Sequence, residues 1–478
     1  MNYKIILNTL GWVLNIEAGC MLLPLICSII YSDNCTLVFG GALAICLFVG
    51  LLFTLVPHKN KTMYAKEGFI IVALSWVLIS IFGALPFVFS GYIPNFIDAL
   101  FETVSGFTTT GASILSDVEA LPKSLLFWRS FTHWIGGMGV LVFLVALLPL
   151  SGGSNLYLIK AESPGPSVSK LVPKIRAMAK ILYGLYIFFT VLQFILLLAG
   201  GMSAFDALTT AFGTAGTGGF GIKNSSMAEY SPYIQNVVTI FMIIFGVDFT
   251  VYYLLLNRKF KAAVRSDEVR TYFLIIITSI ILILFNTRGL FESISEAIRH
   301  IAFQVATIIT TTGYATTDFD KWPEFSKFIL VILMFIGACA GSTGGGFKVS
   351  RVIVLFKSLV KEIKIAAHPR STHKLSMNDR PIAHETVRSI NTFLVAYLVI
   401  FFTSLLIISI DNFDFTTNFT AVAATINNIG PGLAKVGPTQ NFSIYSDMSK
   451  FVLIFDMLVG RLEIFPILIL FSPYTWKN

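Results

Sequence analysis

Apolar segments of two lengths alternate along the chain. Two long ones, near residues 5–30 and 37–56, come first and are joined by the polar link Tyr31-Ser32-Asp33-Asn34-Cys35. A four-part pattern then sets in and recurs: a long apolar segment, a short one, a glycine-centred turn, and a second long segment. The long segments fall near 67–90 and 124–150, 175–200 and 233–256, 270–290 and 326–365, and 385–410 and 448–472. The short ones fall near 95–108, 203–215, 293–310 and 414–427. A helix needs about twenty apolar residues to cross a bilayer, and the short stretches fall well below that. The pattern predicts an all-α polytopic membrane protein with ten spanning helices and four short re-entrant ones. It divides the chain into a two-helix appendage (1–66) and four helix–loop–helix repeats (67–150, 151–257, 258–368 and 369–478).

The turns carry the chemistry. Two are rich in threonine: Thr108-Thr109-Thr110-Gly111 and Thr310-Thr311-Thr312-Gly313. Two are looser copies: Gly216-Thr217-Gly218-Gly219 and Asn427-Asn428-Ile429-Gly430. Aligned on Gly111, Gly219, Gly313 and Gly430, they lie 108, 94 and 117 residues apart. One such turn would signify little, because small and hydroxyl residues pack transmembrane helices generally. Four in register point to a repeated unit. Non-helical backbone at membrane depth survives only where protein buries it or where it lines a watery cavity. Carbonyl-rich turns around one axis make a ring of oxygen ligands for a dehydrated cation. Glycine supplies the backbone freedom to turn carbonyls toward the axis, and threonine hydroxyls add acceptors. The candidate ligands are Thr109, Thr110, Gly111, Gly218, Gly219, Thr311, Thr312, Gly313, Asn428, Ile429 and Gly430. Each short helix also starts close to an acidic residue, Asp98, Asp206, Glu296 or Asp414. Carboxylates suit helix N-termini, and this leaves four negative helix ends to converge on the cation.

Composition agrees with a membrane protein: 55% hydrophobic residues, 13% charged, mean hydropathy +0.79. A soluble chain would carry roughly twice that charged fraction. The loops at 57–66, 151–180, 257–270 and 348–388 hold 3, 5, 5 and 9 lysines and arginines, 22 of the 34. All four loops fall on one side if the N-terminus is cytoplasmic, the orientation the positive-inside rule favours, with the C-terminus on that side too. The net charge of +8 then reflects topology and anionic lipid rather than nucleic acid. The first apolar segment is too long for a cleaved signal. Five cysteines show no disulfide or zinc spacing. His133 and His300 lack a carboxylate or cysteine set around them, so neither suggests a metal or acid–base site.

Three features lie beyond the turns. Gly337-Ala338-Cys339-Ala340-Gly341-Ser342-Thr343-Gly344-Gly345-Gly346-Phe347-Lys348 interrupts the second span of repeat three. So many glycines oppose a continuous helix. A flexible loop within the membrane is expected, with close helix packing as the plainer reading. A phosphate-binding loop would need Gly-Lys-Ser/Thr in sequence, which Phe347 interrupts. Arg461 lies about 16 Å along a span that begins near Lys450, where a charge is costly and usually functional. Pairing with Glu463 is the alternative, although residues two apart on a helix do not face each other. Asp248 is a second intramembrane charge, able to pair with Arg461 or Lys348 or to serve locally. Lys223 and Lys435 lie just past two of the turns, unexpected near a cation entrance.

In their order, the four turns, His133-Trp134-Ile135-Gly136-Gly137-Met138-Gly139 after the first, and the glycine-rich break after the third resemble the TrkH/TrkG/KtrB potassium-uptake family over nearly the whole chain. Residues 1–66 resemble the addition carried by the TrkH and TrkG branch. The resemblance implies a single-chain analogue of a tetrameric potassium channel, not an enzyme, with potassium bound at the turn residues. It implies that residues 337–347, with Gly337, Gly341, Ser342, Thr343, Gly344, Gly345, Gly346 and the adjoining Lys348, form an intramembrane gate. It implies that Arg461 faces the pore and raises the barrier to permeation. A homodimer in the bacterial inner membrane, potassium uptake with symport as its mode, and cytoplasmic TrkA-type subunits that alone carry the nucleotide are further implications. Lys357 to Lys364, with Arg370, His373 and Lys374, suits docking of such subunits or contact with lipid equally. Two alternatives stand beside this reading. An alternating-access cation symporter of another fold would show inverted repeats, whereas these share one orientation. An ion-pumping ATPase would need a phosphorylated Asp motif and a large soluble domain.

Overall fold

The computed structural model describes residues 1–56, 64–139, 175–369 and 374–476. Arg370 and His373 of the basic stretch lie outside them. The described chain is almost wholly helical; its strands are the two-residue pieces β1 (Ser376–Met377) and β2 (Arg380–Pro381), paired antiparallel.

The leading apolar segment divides at Met21 into α1 (Tyr3–Cys20) and α2 (Leu22–Tyr31), and α3 (Thr36–Thr54) returns alongside α1. Gly11 makes that close approach possible: a methyl group there would lie 2.7 Å from the Gly50 carbonyl oxygen. Repeat one comprises α4 (Ala65–Phe89), α5 (Phe96–Phe107) and α6 (Lys123–Gly137). Repeat two comprises α7 (Ile175–Ala199), α8 (Ala204–Ala215), α9 (Pro232–Phe245) and α10 (Phe249–Leu256), followed by the five-residue α11 (Phe260–Val264). Repeat three comprises α12 (Asp267–Asn286), α13 (Ile294–Ile309), α14 (Glu324–Ile336) and α15 (Val349–Ala367). Repeat four comprises α16 (His384–Ile408), α17 (Phe415–Ile426), α18 (Asp447–Arg461) and α19 (Phe465–Phe471).

The short helices α5, α8, α13 and α17 match their predicted limits within a residue or so. Their caps are more specific than the acidic residues alone. Asn95, Ser203 and Ser293 cap the first three through their side chains, with Asp98, Asp206 and Glu296 in the first turn behind them. Asp414 is itself the fourth cap.

Three of the four second spans differ from expectation; the break in repeat three is the one its glycines predict. None runs unbroken among the described residues. Helices α6, α9, α14 and α18 have 15, 14, 13 and 15 residues, about 20 Å at 1.5 Å each, short of the roughly 30 Å hydrocarbon core. Helices α9 and α10 meet at an 89° bend. Glu463 and Ile464 adopt positive φ between α18 and α19. Helix α6 stops at Gly137, and residues 140–150 of that predicted span lie outside the described set. Among the described residues, six helices are long and apolar enough to cross a membrane, or up to seven with the bent pair. Close contact supplies the reason. Gly136 and Gly460 lie against the carbonyls of Phe107 and Ile426, the last residues of α5 and α17. The second helix of each of these repeats therefore ends where it meets the foot of its own short helix.

Candidate functional site

Each short helix ends in the same C-terminal turn. Thr109, Thr217, Thr311 and Asn428 take the left-handed conformation at φ +56°, +55°, +57° and +54°. The next N–H bonds back to the carbonyl five residues earlier: Thr110 to Ser105, Gly218 to Gly213, Thr312 to Thr307 and Ile429 to Ala424, at 2.8–2.9 Å. This closure satisfies orphan helix carbonyls. For threonine it is strained, because a β-branched residue rarely adopts positive φ. Gly111, Gly219, Gly313 and Gly430 then follow at φ +80°, +72°, +89° and +100°.

The turns meet one another in a cycle. A methyl group on Gly111 would strike the carbonyl oxygen of Gly218; on Gly219, that of Thr312; on Gly313, that of Ile429. On Gly430 it would lie 2.9 Å from the carbonyl oxygen of Thr110. Repeat one thus touches two, two touches three, three touches four, and four returns to one. All eleven predicted turn residues lie in this ring. Several hydroxyls, by contrast, turn to protein partners. Thr108 bonds Thr110 and Thr310 bonds Thr312, oxygen to oxygen at 2.8 Å, and Asn428 Nδ2 donates to Thr110 Oγ1 at 2.9 Å. Thr109 Oγ1 and Asn428 Oδ1 are buried acceptors without a hydrogen-bond partner among the described residues.

The glycine-rich stretch runs from Gly337 to Lys348 between α14 and α15, with positive φ at Gly337, Gly341, Gly346 and Lys348. It lies directly against turns three and four. Gly345 N donates to Thr311 Oγ1 at 2.6 Å, and a methyl group on Gly345 would lie 2.5 Å from the Asn427 carbonyl. Gly344 accepts from the Lys348 ammonium. Ser342 Oγ donates to the Cys339 carbonyl, and Thr343 Oγ1 to that of Phe245. A phosphate-binding loop keeps its N–H groups free for the anion. Here those of Cys339, Ala340, Ser342, Thr343, Gly345 and Lys348 are bonded to protein oxygens.

Arg461, at the end of α18, reaches both neighbouring repeats. Its guanidinium donates to the Thr343 carbonyl at 2.9 Å, and to those of Gly136 and Gly137 at 2.5 and 2.9 Å. Glu463 instead pairs with Arg351, so the local Arg461–Glu463 pair is set aside. For Asp248 the local role holds: its carboxylate accepts from Thr250 N at 2.8 Å and caps α10. A cavity of about 1000 Å³ borders the loop, lined in part by Gly341, Lys348 and Arg461.

The TrkH family of cation transport proteins matches residues 36–477. The chain is 36% identical to the Trk system potassium uptake protein TrkH of Escherichia coli strain K12, with both covered in full. It is 32% identical to the Trk system potassium uptake protein TrkG of the same strain over 99% of each. The crystal structure of the potassium transporter TrkH from Vibrio parahaemolyticus matches it at a TM-score of 0.90 and 32% identity, covering 100% of both chains. The chain belongs to the TrkH family. Like the fold of that TrkH transporter, this one is polytopic and helical, and the protein crosses the membrane several times.

Within this TrkH-family chain, Lys223 and Lys435 have partners. Lys223 pairs with Glu229 at 3.1 Å and lies over the Tyr230 ring, and its hydrogen bond holds the Glu229 carboxyl below the usual range. Lys435 lies over the Phe413 ring. Several residues around the TrkH turns escaped sequence reasoning. Glu102 and Arg129 form a buried ion pair at 2.5 Å between α5 and α6. Glu268, in the first turn of α12, accepts from Ala340 N at 2.6 Å and Ser350 N at 3.0 Å, joining the two ends of the glycine-rich loop. His133 spans repeats one and two. His133 was legible only as part of the resembling motif; a further signal was spacing, since Arg129 and His133 sit one helical turn apart on α6, facing the same way.

Proposed function

We propose that the protein is the ion-conducting subunit of a Trk-type potassium-uptake system, with the cycle of four turns as its selectivity filter. One observation carries this reading: four left-handed turns, each with its glycine against the carbonyl just before the next repeat's glycine. The fit to a cation is chemical. The ring concentrates carbonyl oxygens and negative helix ends, and it includes buried acceptors, Thr109 Oγ1 and Asn428 Oδ1, left without protein donors. The relatives, Trk system potassium uptake proteins, supply the ion.

Potassium exchanges its water for carbonyls of Thr110, Gly218, Thr312 and Ile429, then meets the 337–348 loop. That loop, lying on turns three and four, acts as the gate, and Arg461 as a barrier beneath the filter. The membrane potential supplies about 2.3 kcal/mol per 100 mV for each inward charge. The setting we infer is a bacterial inner membrane with both termini cytoplasmic, a homodimer, and TrkA-type regulatory subunits bearing the nucleotide. Symport is the expected mode.

Purified protein in liposomes should accumulate rubidium, a potassium analogue, in preference to sodium. Gly313→Ala forces a methyl group onto the Ile429 carbonyl and should reduce uptake to that of empty liposomes, with the protein still eluting as folded material. Unaltered rubidium uptake by that variant would refute the filter assignment.

A further inference from the structure

Repeat two departs from the threonine pattern for a reason visible across the seam with repeat one. In repeats one and three, the residues three and one before the glycine are both threonine, and their hydroxyls brace each other at 2.8 Å. In repeat two both are glycine, Gly216 and Gly218. Neither has positive φ, so backbone conformation does not demand glycine there. Space does. A methyl group on Gly216 would strike the main chain of His133, and one on Gly218 would strike its imidazole ring. One residue of α6 fills the volume of both missing side chains.

His133 also makes the bonds that a brace requires. Its Nδ1 lies 2.7 Å from the Gly106 carbonyl in the last turn of α5, and its Nε2 accepts from Phe220 N at 3.2 Å, one residue past Gly219. Since the Phe220 amide can only donate, Nε2 is unprotonated and Nδ1 carries the hydrogen given to Gly106. The ring is fully buried and stands 4.2 Å, centroid to centroid, from the Phe220 ring. One turn earlier on α6, Arg129 grips the same strand: its guanidinium lies 3.7 Å from the Phe220 ring centroid and donates to Gly221 O at 2.8 Å.

We propose that His133 is a positioning residue of the filter, replacing in repeat two the paired threonines of repeats one and three and so fixing where the Gly218 carbonyl stands. This rests on the filter reading above. A ring of four carbonyls discriminates between cations only while all four hold their places. The degenerate turn is therefore compensated from outside its own repeat, and His133 contributes to preference for potassium over sodium without touching the ion.

The test compares rubidium and sodium uptake in liposomes for wild type, H133A, G218T and H133A/G218T, each checked by size-exclusion chromatography. H133A should lose about tenfold of the rubidium-to-sodium ratio, the factor that a net hydrogen bond toward the upper end of its ordinary range represents. G218T, whose side chain meets the imidazole, should lose uptake. H133A/G218T, with a threonine in the vacated space, should recover much of the ratio. If H133A does not fold, H133N serves: it keeps a donor near Nδ1, removes the acceptor for Phe220 N, and should also lower the ratio. A folded H133A or H133N with the wild-type ratio, or a double variant no better than H133A, would overturn the proposal. A wild type with no preference for rubidium would instead overturn the filter reading itself.

Discussion

Arg461 is the residue on which the proposed barrier turns. It leaves α18 where the helix ends and donates to carbonyls of the repeat-three loop and of the end of α6 in repeat one. A side chain from repeat four thus ties repeats three and one together. A partly buried cation at this depth needs such acceptors, since an unbonded one would be costly. The carbonyls hold it in place. On the pathway proposed above, a potassium ion leaving the filter would approach that charge where screening is weak, and like charges repel more strongly there than in water. Arg461→Ala should therefore raise rubidium flux, by about tenfold if only 1.4 kcal/mol of barrier is removed. Arg461→Lys, which keeps the charge but not the fork of donors, should fall between. Equal flux in Arg461→Ala and wild type, at equal amounts of folded protein, would show that the residue is a structural tie.

At the level of elements, the glycine-rich loop is held at both ends by one carboxylate. Glu268 accepts from Ala340 N near the loop's start and from Ser350 N just after its end, while Asp267 beside it takes the Lys357 ammonium at 3.0 Å and Asn378 N at 3.2 Å. The N-terminus of α12 thus connects the loop, α15 and the β1–β2 hairpin. Each such hydrogen bond is worth about 0.5–1.5 kcal/mol net. Glu268→Ala should loosen the loop. Cys339, a fully buried free thiol within it, reports the change. With the other four cysteines replaced, maleimide should label Cys339 about tenfold faster or more in Glu268→Ala, and rubidium flux should rise with it. Unchanged labelling would mean that the loop is held by its contacts with turns three and four alone. The sequence could place this loop because its glycines defeat helix over twelve positions. It could place the short helices because capping residues and glycines mark their ends. It could not show the breaks at 246–248 and 462–464: a single carboxylate, Asp248 or Glu463, is the only charge within each, and what crowds the end of α18 at Gly460 is the Ile426 carbonyl, distant in sequence. Nor could it show that Glu268, His133 or Arg351 would find partners, since each bond joins separate elements.

Across the whole molecule, the ring of turns is matched by a second ring of bonds in the loops that follow them. Val118 N donates to Asn224 Oδ1 at 2.8 Å, joining repeats one and two. Met227 N donates to the Ala315 carbonyl at 2.9 Å, joining two and three. Ala434 N donates to Asp320 Oδ1 at 3.1 Å, joining three and four, and Phe442 N to the Ser113 carbonyl at 2.8 Å, joining four to one. Four seams closed in a circle constrain one another, because no repeat can tilt without straining the next. Distant substitutions usually add in their effects on stability, and departure from additivity measures coupling. Asn224→Ala opens the first seam and Asp320→Ala the third. Each should lower the thermal midpoint in detergent, but the pair should lower it by less than the sum, since the second cut is made in a ring already open. The first seam also carries a pH signature. The Asn224 amide, donating to Asp117 Oδ1 at 2.8 Å, holds that carboxyl below its ordinary value. A depressed folded-state pKa gives stability that is present above the unfolded value and lost as pH falls through the folded one. The difference in midpoint between wild type and Asn224→Ala should therefore be full at neutral pH and shrink below about pH 4, the ordinary aspartate value. Strictly additive midpoints would show instead that each seam acts alone and that four-fold closure comes entirely from the glycine turns beneath.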